Sequence, residues 1–153
     1  MESEPVEQVK ILLAEDDDGH AELIIEHLRD VGINNSIRRF CDGEEIWRYL
    51  TEELANGKSC EHCLLLLDIR MPRVDGTEVL RRVKADPLLR QLPVIMLTTT
   101  DDPYEIDRCY TLGCNAYVTK PVEFAAFSEA LRRLGLFLMV VRVPGARGQI
   151  QTL

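Results

Sequence analysis

Long apolar runs are missing from this sequence. The longest, Cys63–Leu67, Pro93–Leu97 and Leu134–Val141, fall far short of the roughly 20 residues that a bilayer-spanning helix needs. The opening MESEPVEQVK is acidic and unlike a secretory leader, so the expected location is cytoplasmic, with no membrane contact. Basic residues are also in deficit: 18 Lys and Arg stand against 26 Asp and Glu, a net charge of −8. Nucleic-acid affinity comes mainly from cations that neutralise phosphates, so no nucleic-acid partner is expected. The acidic surplus suits a protein that binds cations or basic partners.

A disulfide framework is absent as well. The five cysteines, Cys41, Cys60, Cys63, Cys109 and Cys114, are odd in number, and a chain of this size needs no bridges, so they read as free thiols of a reducing compartment. Cys60-Glu-His-Cys63 has the shape of half a zinc site, but Cys109 and Cys114 do not supply the second ligand pair. The simpler reading is a loop cysteine followed by a buried strand cysteine. There are no internal repeats and no low-complexity tract. His20, His27 and His62 have no recognisable partner and read as surface or loop residues.

What is present is an alternation of short apolar strands with helical periodicity. Val9–Ala14 reads as a buried strand, followed by polar turn residues with Asp18 as a candidate N-cap. Ala21, Ile24, Leu28 and Val31 then form one helical stripe, stopped at Gly32. Ser36–Cys41 is a weaker strand expected near an edge, and Ile46, Leu50 and Leu54 mark a second helix. Cys63–Leu67 is continuously apolar, as a central parallel strand covered on both faces must be, and it ends abruptly in Asp68. Thr77–Lys84, Pro93–Leu97, Pro103–Leu112 and Ala116–Val118 continue the alternation. Phe124, Phe127, Leu131, Leu134 and Leu138 close it with a helical stripe. Five strand–helix units in succession predict an α/β fold, a doubly wound five-stranded parallel sheet between helical layers.

In such sheets the ligand site lies outside the carboxyl ends of the strands. The polar residues that follow the strands are Glu15-Asp16-Asp17, Asp68, Thr98 and Lys120. Taken singly, a strand-end aspartate is commonly a helix cap, Thr98 a turn hydroxyl and Lys120 a solvated surface lysine. Together Glu15, Asp16 and Asp68 with Thr98 and Lys120 place three acids, a hydroxyl and an ammonium at one sheet edge. Crowded carboxylates repel one another unless a cation sits among them, and an oxygen-only set favours a hard ion such as Mg²⁺. A carboxylate beside Mg²⁺ can act as nucleophile toward a phosphoryl donor, with Thr98 and Lys120 neutralising the phosphoryl oxygens. Asp17 and Asp18 read as cap and turn acids.

The stretches ILLAEDD, LLLLDIRMPRVDG, PVIMLTT and NAYVTKP occur in that order, with Thr98 30 positions and Lys120 52 positions after Asp68. The chain resembles a response-regulator receiver domain of two-component signalling, with a CheY-like, flavodoxin-type fold. The resemblance implies a receiver domain over residues 8–141, an N-terminal extension at 1–7 and a tail at 142–153. It implies that Asp68 accepts a phosphoryl group from a sensor histidine kinase. Glu15, Asp16 and Asp68, with the backbone carbonyl of Arg70, would hold Mg²⁺, or Mn²⁺ in its place. Thr98 and Lys120 would bind the phosphoryl oxygens, and Tyr117 would be the aromatic that changes rotamer as Thr98 moves. Pro121 matches a proline whose preceding peptide bond is usually cis.

Two residues depart from the pattern. Arg70 sets a long cation where smaller polar residues are frequent, able to pair with Glu15 or screen the phosphoryl group, and Thr99 is bulkier than the alanine or glycine often found there. The long segment TEELANGKSCEH, the terminal LFLMVVRVP and the GHAELI of the first helix resemble single-domain regulators that accompany bacterial phytochrome-type histidine kinases. The apolar run Phe137–Val141 favours a homodimer through the C-terminal helix and the segment after it. The alternatives are a phosphorelay intermediate, an aspartyl-nucleophile phosphatase or phosphotransferase, and a pseudo-receiver. The enzyme reading is disfavoured because Arg70 stands where a second, acid/base aspartate would be needed. The pseudo-receiver reading is disfavoured because no acid, threonine or lysine is missing.

Overall fold

In the computed structural model, residues 9–55, 62–138, 142–144 and 150–152 are described. Strands and helices alternate from the start: β1 (Lys10–Ala14), α1 (Asp18–Asp30), β2 (Ile37–Phe40), α2 (Gly43–Ala55) and β3 (Cys63–Leu67), then α3 (Gly76–Ala85), β4 (Val94–Thr98), α4 (Pro103–Leu112), β5 (Ala116–Thr119) and α5 (Phe124–Leu138). The five strands pair in the order β2-β1-β3-β4-β5, every pair parallel. β2 is therefore the edge strand that its mixed composition predicts, and β3 is central and buried along its whole length.

Successive strand residues face opposite sides of a sheet, so this sheet has two cores. Leu12, Ala14, Leu65, Leu67, Val94 and Met96 pack with residues of α2, α3 and α4. Ile11, Leu13, Leu64, Leu66, Ile95 and Leu97 pack with those of α1 and α5. The apolar stripes read from the sequence supply the helical halves: Ala21, Ile24 and Leu28 from α1, Ile46 and Leu50 from α2, Val79, Leu80 and Val83 from α3. Leu54 contributes no described side chain. In α5, Phe127, Leu131, Leu134 and Leu138 are buried, but Phe124 is 66% exposed. It sits in the first turn and at the rim of the stripe, before the helix settles on the sheet. α4 ends as its sequence predicts, with Gly113 as a left-handed C-cap at φ 111°.

The start of α1 differs from expectation. Asp17, not Asp18, is the N-cap, its carboxylate accepting from the His20 backbone N–H at 2.8 Å. Three consecutive aspartates could each cap; Asp18 is instead drawn to Arg39, 2.6 Å away on β2. The Lys120–Pro121 peptide bond is also not cis, because the described residues contain no cis peptide; trans is the form the bond prefers intrinsically. The tail at 142–153 contains a two-stranded antiparallel ribbon, β6 (Arg142–Pro144) with β7 (Ile150–Thr152). Met139, Val140 and Val141 lie outside the described residues, as do Cys60 and residues 1–7. Among the described residues, Cys41, Cys63, Cys109 and Cys114 form no disulfide with one another. Within the described residues no helix is long and apolar enough to cross a membrane.

Candidate functional site

The carboxyl ends of β1, β3, β4 and β5 converge on one polar cluster. Glu15 follows β1, Asp68 follows β3, Thr98 ends β4 and Lys120 follows β5. All four are buried, at 1%, 8%, 0% and 2% exposure. Such burial of acids and an ammonium is uncommon unless they are paired. The Lys120 Nζ lies 3.1 Å from both Glu15 carboxylate oxygens and 3.3 Å from the Asp68 Oδ2. Backbone bonds fix the frame: the Asp68 N–H donates to the Ala14 carbonyl, the Glu15 N–H to that of Phe40, and the Lys120 N–H to that of Thr98.

Asp16 is exposed beside the cluster, and carboxylate oxygens of Glu15, Asp16 and Asp68 lie within 4.8 Å of one another. One ammonium thus faces two buried carboxylates, with a third acid at the rim. Burial first, and then hydrogen bonding and repulsion from Asp68, push Glu15 up to about 8, although Lys120 pulls the other way. The short contacts to Lys120 favour an ionised Glu15, but a single cation cannot balance both carboxylates in so dry a site. The surplus calls for a proton or a metal ion. An oxygen-only donor set with one exposed member suits a hard divalent ion that keeps part of its water shell.

The loop between β3 and α3 is held tightly against the cluster. Ile69 and Met71 are buried as anchors, the Gly76 N–H donates to the Ile69 carbonyl at 2.7 Å, and Asp75 caps α3. A methyl on Gly76 would lie 1.9 Å from the Asp68 carbonyl oxygen, so only glycine lets this loop close beneath Asp68. Arg70 is exposed and forms no ion pair among the described residues. Its possible partner Glu15 is taken by Lys120, whose ammonium is already inside the site.

On the far side, the Thr98 hydroxyl is buried and accepts from the Thr100 N–H at 3.5 Å. The half-buried Tyr117 donates its hydroxyl to the Thr100 carbonyl, and its backbone N–H donates to the Tyr110 hydroxyl. Burial, followed by nearby acidic groups, pushes the Tyr117 phenol up to about 12. Tyr117 and Thr98 therefore meet at Thr100, the first through its ring hydroxyl and the second through its side-chain oxygen.

His20 is the residue that sequence reasoning left at the surface. Its Nδ1 is 3.3 Å from the Lys120 Nζ and 3.3 Å from the Glu15 Oε1, and its ring packs edge-on to Phe127 at 5.3 Å. The one available signal was position: His20 falls in the first turn of the helix that follows the acidic strand end. Its partner Lys120 is 100 residues away and invisible to local periodicity. His62 lies at the turn into β3, a loop position as expected, but is buried there with φ 58°. His27 bonds within α1 to the Leu23 carbonyl.

Comparison with known proteins gives a consistent answer. Residues 11–132 match the family model described as the response regulator receiver domain. The chain is 34% identical over 137 residues to the response regulator Rcp1 of Synechocystis, covering 89% of this chain and 93% of that protein. Its fold superposes on a response regulator receiver domain from Rhodospirillum rubrum with a TM-score of 0.84 at 45% identity, covering 90% of this chain and 98% of the other. The phosphorylated cyanobacterial phytochrome response regulator RcpA gives 0.75 at 32% identity, covering 86% and 94%. The Mn²⁺-bound form of Rcp1 gives 0.78 at 27% identity, covering 90% and 99%. The strand order, the buried acid–lysine cluster and these matches agree, and the chain belongs to the response regulator receiver family of two-component signalling.

Proposed function

We propose that Asp68 is the phosphoryl acceptor of this receiver and that a sensor histidine kinase is its donor. The observation that carries the reading is the Lys120 ammonium, held at once against Glu15 and Asp68 at the ends of three different strands. In the transfer, an Asp68 carboxylate oxygen forms the new P–O bond. The donor's P–N bond breaks, and its electron pair returns to the donor imidazole. Glu15, Asp16, Asp68 and the Arg70 backbone carbonyl would hold Mg²⁺ or Mn²⁺, which when bound neutralises phosphoryl charge. The Mn²⁺-bound form of the similar Rcp1 supports that choice of ion.

Lys120 is positioned to pair with a phosphoryl oxygen, and Thr98 to donate its hydroxyl to another. Drawing Thr98 inward would disturb Thr100, where Tyr117 is anchored, and so re-present the β5 face to partners. The chain acts as a phosphoacceptor with self-catalysed turnover at most, in the cytoplasm, with the receiver unit spanning residues 8–141. The decisive experiment compares wild type with Asp68→Asn after incubation with phosphoramidate and Mg²⁺. Intact mass should show one added phosphoryl group on the wild type and none on the variant. Equal labelling would remove the assignment.

Self-association through the C-terminal helix belongs to the same reading. Leu136 and Phe137 are 46% and 51% exposed near the end of α5, and the apolar sequence continues beyond it. Sedimentation at micromolar concentration should find a dimer, and Phe137→Glu should shift it to monomer. A wild-type monomer, with and without phosphorylation, would contradict the surface.

A further inference from the structure

His20 is not needed for the receiver chemistry outlined above, yet its ring contacts the buried cluster at both Lys120 and Glu15. An ammonium offers three donors and no acceptor. Lys120 directs these at Glu15 (3.1 Å to each oxygen), at Asp68 (3.3 Å) and at the Nδ1 of His20 (3.3 Å). With the ring proton on Nε2, the Nδ1 lone pair faces the ammonium. The imidazole then accepts the third ammonium proton, and the 3.3 Å approach of Nδ1 to Glu15 Oε1 is that of two acceptors sharing one ammonium.

His20 is itself well fixed. Its backbone N–H is bound by the Asp17 cap, and its ring rests edge-on against Phe127 of α5 at an interplanar angle of 61°. Its side chain is 38% exposed while that of Lys120 is 2% exposed, so a part-exposed ring abuts a buried ammonium. Lysine carries its charge on a flexible four-carbon stem, and without a third partner that charge has water and a wider arc available to it.

We infer that His20 is a positioning residue for phosphoryl transfer: its Nδ1 pins the Lys120 ammonium against Asp68. The inference rests on the assignment of Asp68 as acceptor. It acts through Lys120 and requires no contact between His20 and the phosphoryl group.

Two variants separate this role from packing. His20→Leu keeps an apolar contact for Phe127 but offers no acceptor. His20→Asn loses the ring but can place an amide oxygen where Nδ1 stood. Labelling by phosphoramidate is followed by intact mass at saturating Mg²⁺. His20→Leu should slow labelling by about tenfold, the scale of one charge-assisted hydrogen bond. His20→Asn should remain within about twofold of wild type, since its oxygen supplies the same bond. A wild-type rate in His20→Leu, or equal slowing of both variants, would overturn the inference while leaving Asp68 in place. Failure of the wild type itself to label would overturn the acceptor assignment, and the inference with it.

Discussion

Lys120→Met should lower stability by about 3–5 kcal/mol near pH 8, because a buried cation is removed from between two carboxylates that stay behind. Methionine matches the stem in length and shape, so the loss is of charge rather than of packing. The effect should depend on pH, and its sign follows from Glu15. In the folded chain this carboxyl is raised from 4.5 to about 8. Between those values the native state keeps a proton that the unfolded state has released. Stability of the metal-free wild type therefore falls as pH rises from about 4.5 to about 8, and levels off above that. Lys120 is the group that lowers Glu15, so its loss should carry the decline beyond pH 8, and the gap between variant and wild type should widen there. Urea midpoints at pH 8 and pH 9 in the presence of chelator measure this. Equal midpoints for the two proteins at pH 8 would count against an ionic role for Lys120 in the fold.

Gly76→Ala is the second change expected to have a large effect, although it adds only a methyl group. That methyl would sit 1.9 Å from the Asp68 carbonyl oxygen and 2.8 Å from its carbonyl carbon. The obstacle is backbone, which cannot turn aside as a side chain can. Overpacking of this kind costs about 2–3 kcal/mol. The more telling consequence is for Asp68, whose backbone would have to move. Displacing a reacting group by about 1 Å can cost about a hundredfold in rate, so phosphoramidate labelling should fall by one to two orders of magnitude. A variant with a wild-type urea midpoint and labelling rate would mean that the β3–α3 loop relaxes without disturbing Asp68.

The fold was legible because this sheet is buried on both faces. Leu64–Leu67 and Val94–Leu97 read as unbroken apolar runs and are buried throughout. Helical stripes such as Ala21, Ile24 and Leu28 were equally plain. The strand-end rule then located Glu15, Asp68, Thr98 and Lys120, and the structure brings all four into one cluster. What escaped were features decided by competition or by distance in the chain. The cap fell to Asp17 because Arg39, a residue of another strand, drew Asp18 aside. His20 gave no signal because its partners are on β5 and α5, far along the chain. The constraint at Gly76 was unreadable for a different reason: nothing in the sequence says how closely two backbones pass.

The Lys120–Glu15 pair joins residues separated by 105 positions, and the strands that precede them, β5 and β1, are not neighbours in the sheet. Contacts of such long sequence separation are gained late in folding, after the loop between them has been closed. A chain emerging from the ribosome would hold both Glu15 and Asp68 well before it held their counter-ion. Until β5 takes its place beside β4, those two acids have no reason to be buried together. The centre therefore reaches its final charge state only when nearly four-fifths of the chain has been made.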